Sequence, residues 1–449
     1  MASVSTPHFV IFPFMSQGHT IPLLNLARLL RHRHISVTIF TIPANSASIR
    51  DSLTNTGMSI INLPFTEKLN SMSLFLSIAN ATKQMQPHFE QAIESLQSVS
   101  CIISDGFLTW TQQSAAKLGI PRLVFYGMSN YATTMSEIVV RERPHAKVSS
   151  DDEPFPVPDF PLLKLTRNDF EPPFSQVKPE GPLFEFVLEQ YLALSRSQGL
   201  VVNSIYELEP AFIDYWSQKI GPRAWCVGPL CLAAEPLVSQ TPQKQPWVQW
   251  LDTKVAKRES VLYVAFGSQA DMSPEQLREI ALGLEQAKVN FLWVLRSKGS
   301  ELWEGFEERV KDRGIIVKEW VDQLEILQHE SINGFLSHCG WNSVIESISV
   351  GVPILALPLM AEQHLNARML VEEIGIGLRL MPSNGSVRGF VKLEEVEKMA
   401  RELMEGERGV AVRMKVKEVR KAACAAMKEG GSSSSMLDLL INEFGGPHP

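Results

Sequence analysis

The stretch FLSHCGWNSVIES, residues 335–347, closes an apolar run with His338, Gly340, Trp341, Asn342 and Ser343 at the mouth of a helical pattern. Gly340 permits a sharp turn, and Asn342 or Ser343 can cap the segment that continues as Val344, Ile345, Ile348 and Val350. A strand, a turn and a helix in that order present unpaired backbone N–H groups and the positive end of a helix dipole, which stabilise an anion without a metal. His338, Asn342 and Ser343 add side-chain donors at the same spot, so a phosphate is the expected guest. The alternative is an ordinary capped helix, with Trp341 packed inside and His338 satisfied by a neighbour.

A second reactive set lies near the amino terminus. In FPFMSQGHTIPLLNLARLL, Gly18 turns the chain after a strand, His19 follows, and Pro22 stands where the first turn of a helix tolerates proline. An imidazole near its ordinary pKa is suited to taking a proton at neutral pH. Asp105, in CIISDGFLTW, ends another strand, where its carboxylate could accept the second imidazole N–H or instead cap the next helix. A base and an orienting acid on neighbouring strand ends are the parts needed to activate a hydroxyl.

Other positions carry weaker signals. SVLYVAFGSQADMSPEQL is a strand ending in Gly267 and Ser268, where Ser268 and its backbone could hold a phosphate, with a helix start at Ser273-Pro274. It has neither G-x-G-x-x-G nor a Walker pattern, so neither a dinucleotide cofactor nor ATP is expected. Trp320, just past a strand, is a stacking platform for a base or a packing residue. Glu362 and Gln363 stand at a loop-to-helix junction, where they could bind several hydroxyls of one small ligand or simply cap.

The elements that must position these residues alternate. Apolar strands are expected at 8–14, 35–41, 101–104, 123–126 and 200–203, and again at 261–266, 291–295, 314–317, 334–336, 353–357 and 375–380. Helical patterns separate them, which indicates two buried parallel sheets with helices on both faces. At 449 residues the chain exceeds what one core usually supports, in line with two domains of about 200 residues. The Pro- and Gln-rich stretch after Gly228 has no period and marks the join, so the domains are placed at 1–230 and 251–435 with a linker at 231–250. Facing each other across a cleft, they would bind ligands beyond their strand ends. Residues 141–182, rich in Pro and Phe, read as a binding loop or lid. GGSSSS, 430–435, reads as a hinge before a last amphipathic helix, 436–445, that docks back on the first domain.

Composition narrows the class. The net charge of −7 argues against nucleic acid or an anionic membrane as partner, and the basic run 408–428 reads as the solvated face of a helix. MASVSTPHFVIFPF reads as a strand and lacks the pattern of a secretory signal. No segment approaches the roughly 18 uninterrupted apolar residues of a membrane span, so stable membrane insertion is not expected. Five cysteines, odd in number and without metal-ligand spacing, suit reduced thiols in the cytoplasm.

Residues 320–363, WVDQLEILQHESINGFLSHCGWNSVIESISVGVPILALPLMAEQ, closely resemble the signature box of plant family 1 UDP-dependent glycosyltransferases, and the likeness runs from SQGHTIPLLNLARLL to the final helix. The resemblance implies a GT-B fold and an inverting transfer from a UDP-sugar that needs no metal or other cofactor. Residue by residue, Trp320 would stack on uracil, the Val321 backbone would read its edge, Gln323 would lie nearby and Glu346 would bind the ribose. His338, Asn342, Ser343 and Ser268 would hold the diphosphate, and Trp341, Glu362 and Gln363 the sugar, while His19 would be the base held by Asp105. Asp322 stands where the box often has Pro, Ser337 where Thr, Leu357 where Trp and Glu362 where Asp is usual. Gln363 goes with glucose donors more often than with galactose. The first domain would then bind the acceptor, with Phe14, Phe107, Phe125 and the Phe residues of the 155–174 lid lining an apolar slot or packing the core.

The expected activity is transfer of glucose from UDP-glucose to a hydroxyl of a flavonoid or other phenolic, giving a β-O-glucoside. The same chemistry on a terpenoid, hormone or carboxylate, or with another UDP-sugar, is the runner-up, and a non-catalytic UDP-sugar-binding protein is the rival from another class. A cytoplasmic monomer is the default expectation.

Overall fold

Strands that are apolar along their whole length can pair in parallel only where both faces of the sheet are covered. The computed structural model describes residues 6–54, 56–66, 74–233, 244–267, 272–295 and 305–446. Strands β1 (His8–Phe12), β2 (Ser36–Thr41), β3 (Ser59–Asn62), β4 (Val99–Asp105) and β5 (Arg122–Tyr126) come first. An antiparallel hairpin of β6 (Phe155–Val157) and β7 (Phe160–Leu165) precedes β8 (Gly199–Val202) and β9 (Ala224–Cys226). The first sheet is parallel throughout, in the order β3-β2-β1-β4-β5-β8-β9.

Strands β10 (Val261–Ala265), β11 (Asn290–Val294), β12 (Gly314–Val317), β13 (Ile332–Ser337), β14 (Ile354–Ala356) and β15 (Gly377–Arg379) form a second parallel sheet. Its order is β12-β11-β10-β13-β14-β15. In both sheets the chain steps outward from a first strand on one side and then on the other, which is the doubly wound pattern. Contacts gather the chain into two compact units. One comprises Met1–Asn130, Lys178–Glu235 and Ala425–Pro449, the other Tyr131–Val177 and Pro236–Cys424.

Alternation along β1 builds the first core. Phe9 and Ile11 pack with Leu23, Leu26 and Leu30 of the helix Gln17–His32 and with Leu437, Leu440 and Phe444 of the last helix, Ser432–Phe444. Val10 and Phe12 point to the opposite face, among Phe89, Trp110 and Ala115. In the second unit Leu262, Val264 and Leu336 pack on Leu277, Ile280 and Leu284 of the helix Pro274–Ala287. That helix starts at the expected Ser273, whose Oγ accepts from the Gln276 backbone N–H at 3.2 Å.

Several expectations are corrected. The helix after β13 begins at Trp341 with Gly340 as N-cap, so neither Asn342 nor Ser343 caps it. The serines of 432–435 are the first turn of the last helix rather than a hinge, and Ser434 Oγ accepts from Arg33 Nη2 at 2.9 Å. Part of the expected linker is helical from Pro246 onward. Strands β3 and β9 were not anticipated, because each is short and lies at a sheet edge. The stretch expected to be a lid contains the β6–β7 hairpin, with Phe155 and Phe170 buried and their rings 6.4 Å apart. Among the described residues no helix is long and apolar enough to cross a membrane.

The last helix closes one face of the first sheet, so Leu440→Ala should cost about 2–5 kcal/mol of stability. Urea unfolding of the two proteins checks this; an unchanged midpoint would show that the helix does not hold the core.

Candidate functional site

In the first sheet β1 and β4 are neighbours whose following helices cover opposite faces, and the reactive pair stands at that junction. His19 lies in the first turn of the helix after β1, its backbone N–H donating to Ser16 O at 3.2 Å. Asp105 is the last residue of β4 and fully buried. His19 Nδ1 meets Asp105 Oδ2 at 2.6 Å, while Asp105 Oδ1 accepts from the Phe107 backbone N–H at 3.0 Å. Both roles open to Asp105 are therefore filled at once: it orients the imidazole and it closes the next turn.

Behind it lies Arg122, a buried cation that sequence reading passed over. Its Nε donates to Ser104 Oγ at 2.8 Å, and its Nη1 to Ser197 Oγ at 2.9 Å. Burial lowers its pKa to about 10, and the charges of Tyr126 and Asp105 oppose that shift. The one signal was an arginine inside the apolar strand RLVFY.

Aromatic rings pack around His19. Phe107 and Phe14 have ring centres 4.9 and 5.7 Å from the imidazole. Phe75, from the helix Leu74–Thr82, and Phe186, from the helix Pro182–Ser195, pack edge-on at 5.6 Å and both contact Phe107. Phe125 does not join them. Its side chain is fully buried on the other face of the sheet, with Phe9, Val201 and Trp225.

The second unit repeats the geometry at the junction of β10 and β13. His338 follows β13, and its ring lies between two glycines: a Cβ on Gly267 would come within 2.8 Å of Nε2, and one on Gly340 within 2.5 Å. The sharp backbone turn is made by Cys339, with φ of 64°, while Gly340 has φ of −57°. Gly340 is thus required for room, not for conformation. Burial pushes the His338 imidazole down to about 4, opposed by the Ala265 carbonyl, so the ring is neutral at pH 7. The first turn beyond it, Trp341 to Ser343, points its N–H groups at this spot.

Gln323 links the neighbouring groups. Its Nε2 donates to Ser343 Oγ at 2.9 Å and to Glu346 Oε2 at 2.7 Å, and its Oε1 faces the Tyr263 hydroxyl at 3.4 Å. Glu346 is only partly covered along its side chain, yet desolvation of the carboxyl pushes its pKa up to about 7, against the Gln323 donor and with help from Asp322. Asp322 caps the helix Gln323–Gln328, its Oδ1 accepting from Leu324 N and Glu325 N, which accounts for an acid where proline is frequent. Val321 is buried, whereas Trp320 leaves 54% of its surface exposed.

The remaining group sits at the helix Gln363–Arg368. Gln363 Oε1 accepts from Leu359 N at 2.9 Å and Met360 N at 3.0 Å, which fixes the orientation of its amide. Asn366, which sequence reading missed, donates to Cys339 O at 3.0 Å and to Glu362 Oε1 at 3.3 Å. Trp341, the first residue of the helix after Gly340, is buried. Ser268 lies outside the described residues. Among those described, no cluster of His, Cys, Asp or Glu is arranged to hold a metal.

Residues 222–391 match the family model described as UDP-glucoronosyl and UDP-glucosyl transferase. The chain is 49% identical to UDP-glycosyltransferase 90A1 of Arabidopsis thaliana, over 98% of both chains. It is 34% identical to UDP-glucose flavonoid 3-O-glucosyltransferase 7 of Fragaria ananassa, covering 97% of this chain and 96% of that one. Among solved structures, Phytolacca americana UGT2 with UDP-2-fluoro-glucose and pterostilbene superposes with a TM-score of 0.84 at 30% identity, over 98% of this chain and 100% of that one.

Glu346 keeps its proton to about pH 7 in the folded chain, against 4.5 as the ordinary value, so between those values the folded state binds more protons than the unfolded. Stability contributed by this group therefore falls as pH rises through that window and stays low above it. Glu346→Gln should be more stable than the wild type by about 1–3 kcal/mol at pH 8 and equal to it near pH 4.5. Thermal melts at the two pH values test this, and a difference that does not depend on pH counts against it.

Proposed function

This chain belongs to the plant family 1 UDP-dependent glycosyltransferases, with the GT-B architecture of two Rossmann-like domains, and on that premise we propose that it transfers glucose from UDP-glucose to a hydroxyl of a flat phenolic acceptor, with inversion. The observation that carries the reading is the 2.6 Å hydrogen bond between His19 and buried Asp105, beside a wall of phenylalanine rings. A protein that only bound UDP-sugars would have no use for an oriented base.

Asp105 holds the proton on Nδ1 and leaves Nε2 to accept one. The acceptor hydroxyl gives its proton to Nε2 as its oxygen bonds to the anomeric carbon, and the bond from that carbon to the UDP oxygen breaks on the opposite face. An α-linked donor thereby gives a β-glycoside. Asp105 stabilises the imidazolium that forms, and Phe107 keeps the ring in place. Charge on the departing diphosphate falls on the N–H groups of the first turn after Gly340, donors already aimed before the reaction begins, with His338 packed beside them. Asn342 and Ser343 stand in the same turn, with Ser268 expected beside them.

Trp320 stacks on uracil, which gives a purpose to so large an exposed ring. The Val321 backbone reads the base edge, and Glu346, steered by Gln323, accepts from the ribose hydroxyls. The amide of Gln363, fixed by its backbone contacts, and the carboxylate of Glu362 take the sugar hydroxyls. Glucose as donor is supported by the named donor of the strawberry relative and the fluorinated UDP-glucose bound to the Phytolacca protein. A flat phenolic is supported by that relative's flavonoid, by the pterostilbene of the same complex and by the Phe14, Phe75, Phe107 and Phe186 cluster.

Mass-resolved assays with UDP-glucose and a panel of flavonoids, simple phenols and terpenoid alcohols test the reading. His19→Ala and Asp105→Asn should each lower kcat/KM by about 10²–10⁴ while leaving UDP affinity unchanged. Equal turnover by His19→Ala would remove the base from the mechanism. Trp320→Ala should weaken UDP and UDP-glucose alike, by about 1–3 kcal/mol in calorimetric titration.

A further inference from the structure

The helix that carries the sugar-facing groups, Gln363–Arg368, is too short to hold its own position, and at Arg368 it passes into a wider π-helical turn, Met369–Ile374. Its place is therefore set by what grips its two ends. At the front, Asn366 joins it to the Cys339 carbonyl and to Glu362. At the back, Arg368 reaches into the 155–169 segment of the same unit. Its Nε donates to Asp169 Oδ1 at 3.1 Å, and its Nη1 to the Lys164 carbonyl on β7 at 2.8 Å. Asp169 is fully buried, and its other oxygen accepts from Thr166 N at 2.7 Å and Thr166 Oγ1 at 3.0 Å.

The segment is itself anchored a second time. Arg388 donates to the Asn168 carbonyl at 2.6 Å and to Glu171 at 2.5 Å, and Asn168 donates to Ser386 Oγ at 3.1 Å. The hairpin that sequence reading took for an acceptor lid is thus fastened, on both sides of Asp169, to the unit that carries the signature box.

We infer that Asp169 and Arg368 are positioning residues for recognition of the donor sugar, bracing the Gln363–Arg368 helix so that Glu362 and Gln363 meet the sugar hydroxyls. The inference rests on the donor reading given above. Neither residue touches the uridine or diphosphate groups, which Trp320, Glu346 and His338 serve. Loosening the brace therefore changes how the sugar is held and leaves the nucleotide alone.

UDP, which lacks the sugar, separates the two effects. Calorimetry with UDP and steady-state kinetics with UDP-glucose are run on the wild type, Asp169→Asn, Arg368→Ala and Arg368→Lys. In Asp169→Asn and Arg368→Ala, the UDP Kd should stay within about twofold while KM for UDP-glucose rises about tenfold, with kcat changed less than about threefold. Arg368→Lys, which keeps the charge and loses the fork, should recover KM to within about threefold of the wild type. Parallel weakening of UDP and UDP-glucose, or unaltered KM in Arg368→Ala, overturns the inference. Should Asp169→Asn fail to fold and bind no UDP, the two Arg368 variants decide. A wild type that binds UDP but binds and consumes none of UDP-glucose, UDP-galactose and UDP-xylose refutes the donor reading and this one with it. Transfer by the wild type with variants indistinguishable from it refutes this one alone.

Discussion

Everything chemical in this protein depends on a property of doubly wound parallel sheets. Where two adjacent strands send their helices to opposite faces, the carboxyl ends leave a crevice that no helix fills. The first sheet has that junction between β1 and β4 and the second between β10 and β13. His19 and Asp105 stand at one, Gly267 and His338 at the other. Backbone N–H groups at helix starts and side chains at strand ends converge there because the topology directs them, so each half of the chain presents polar groups at one edge of an otherwise apolar core.

That placement brings polar atoms into poorly solvated surroundings, and the structure meets much of the resulting cost by pairing them. Asp105 is fully buried with partners on both oxygens. Gln323 satisfies Ser343 and Glu346 together, and Gln363 is locked by two backbone N–H groups. A buried polar group without a partner would cost about 1–3 kcal/mol, so these networks also fix orientation: each amide can point only one way. Orientation set before a ligand arrives is what electrostatic stabilisation of a leaving group requires.

The departures from the common form of the signature box each fit their local surroundings. Asp322 replaces a frequent proline and caps the helix Gln323–Gln328, a different means to the same helix start. Ser337 is buried and its Oγ accepts from Cys339 N at 3.1 Å, a bond that threonine could make as well. Leu357 lies in the apolar core of the second unit. Glu362 keeps a carboxylate within reach of Asn366.

The sequence alone determined the parallel sheets, the placement of His19 just beyond the first strand, the strand-end location of Asp105 and His338, and the helix start at Ser273. These follow from apolar periodicity and from turn residues within a few positions of one another, and such short-range signals survive in a linear string. Tertiary structure decided what depends on faces and on distant segments. Phe14, two residues past β1, and Phe125, inside β5, both lie near strand ends, yet one joins the rings beside His19 and the other packs in the cluster with Trp225, because period-two alternation does not say which face will be which. Cys339 rather than Gly340 takes the left-handed turn, since His338 needs the space that a Gly340 side chain would fill. Asp169 and Arg368 lie 199 residues apart, and only folding brings one to the other. No local preference encodes such a pair, because its energy exists only after the intervening chain has been ordered.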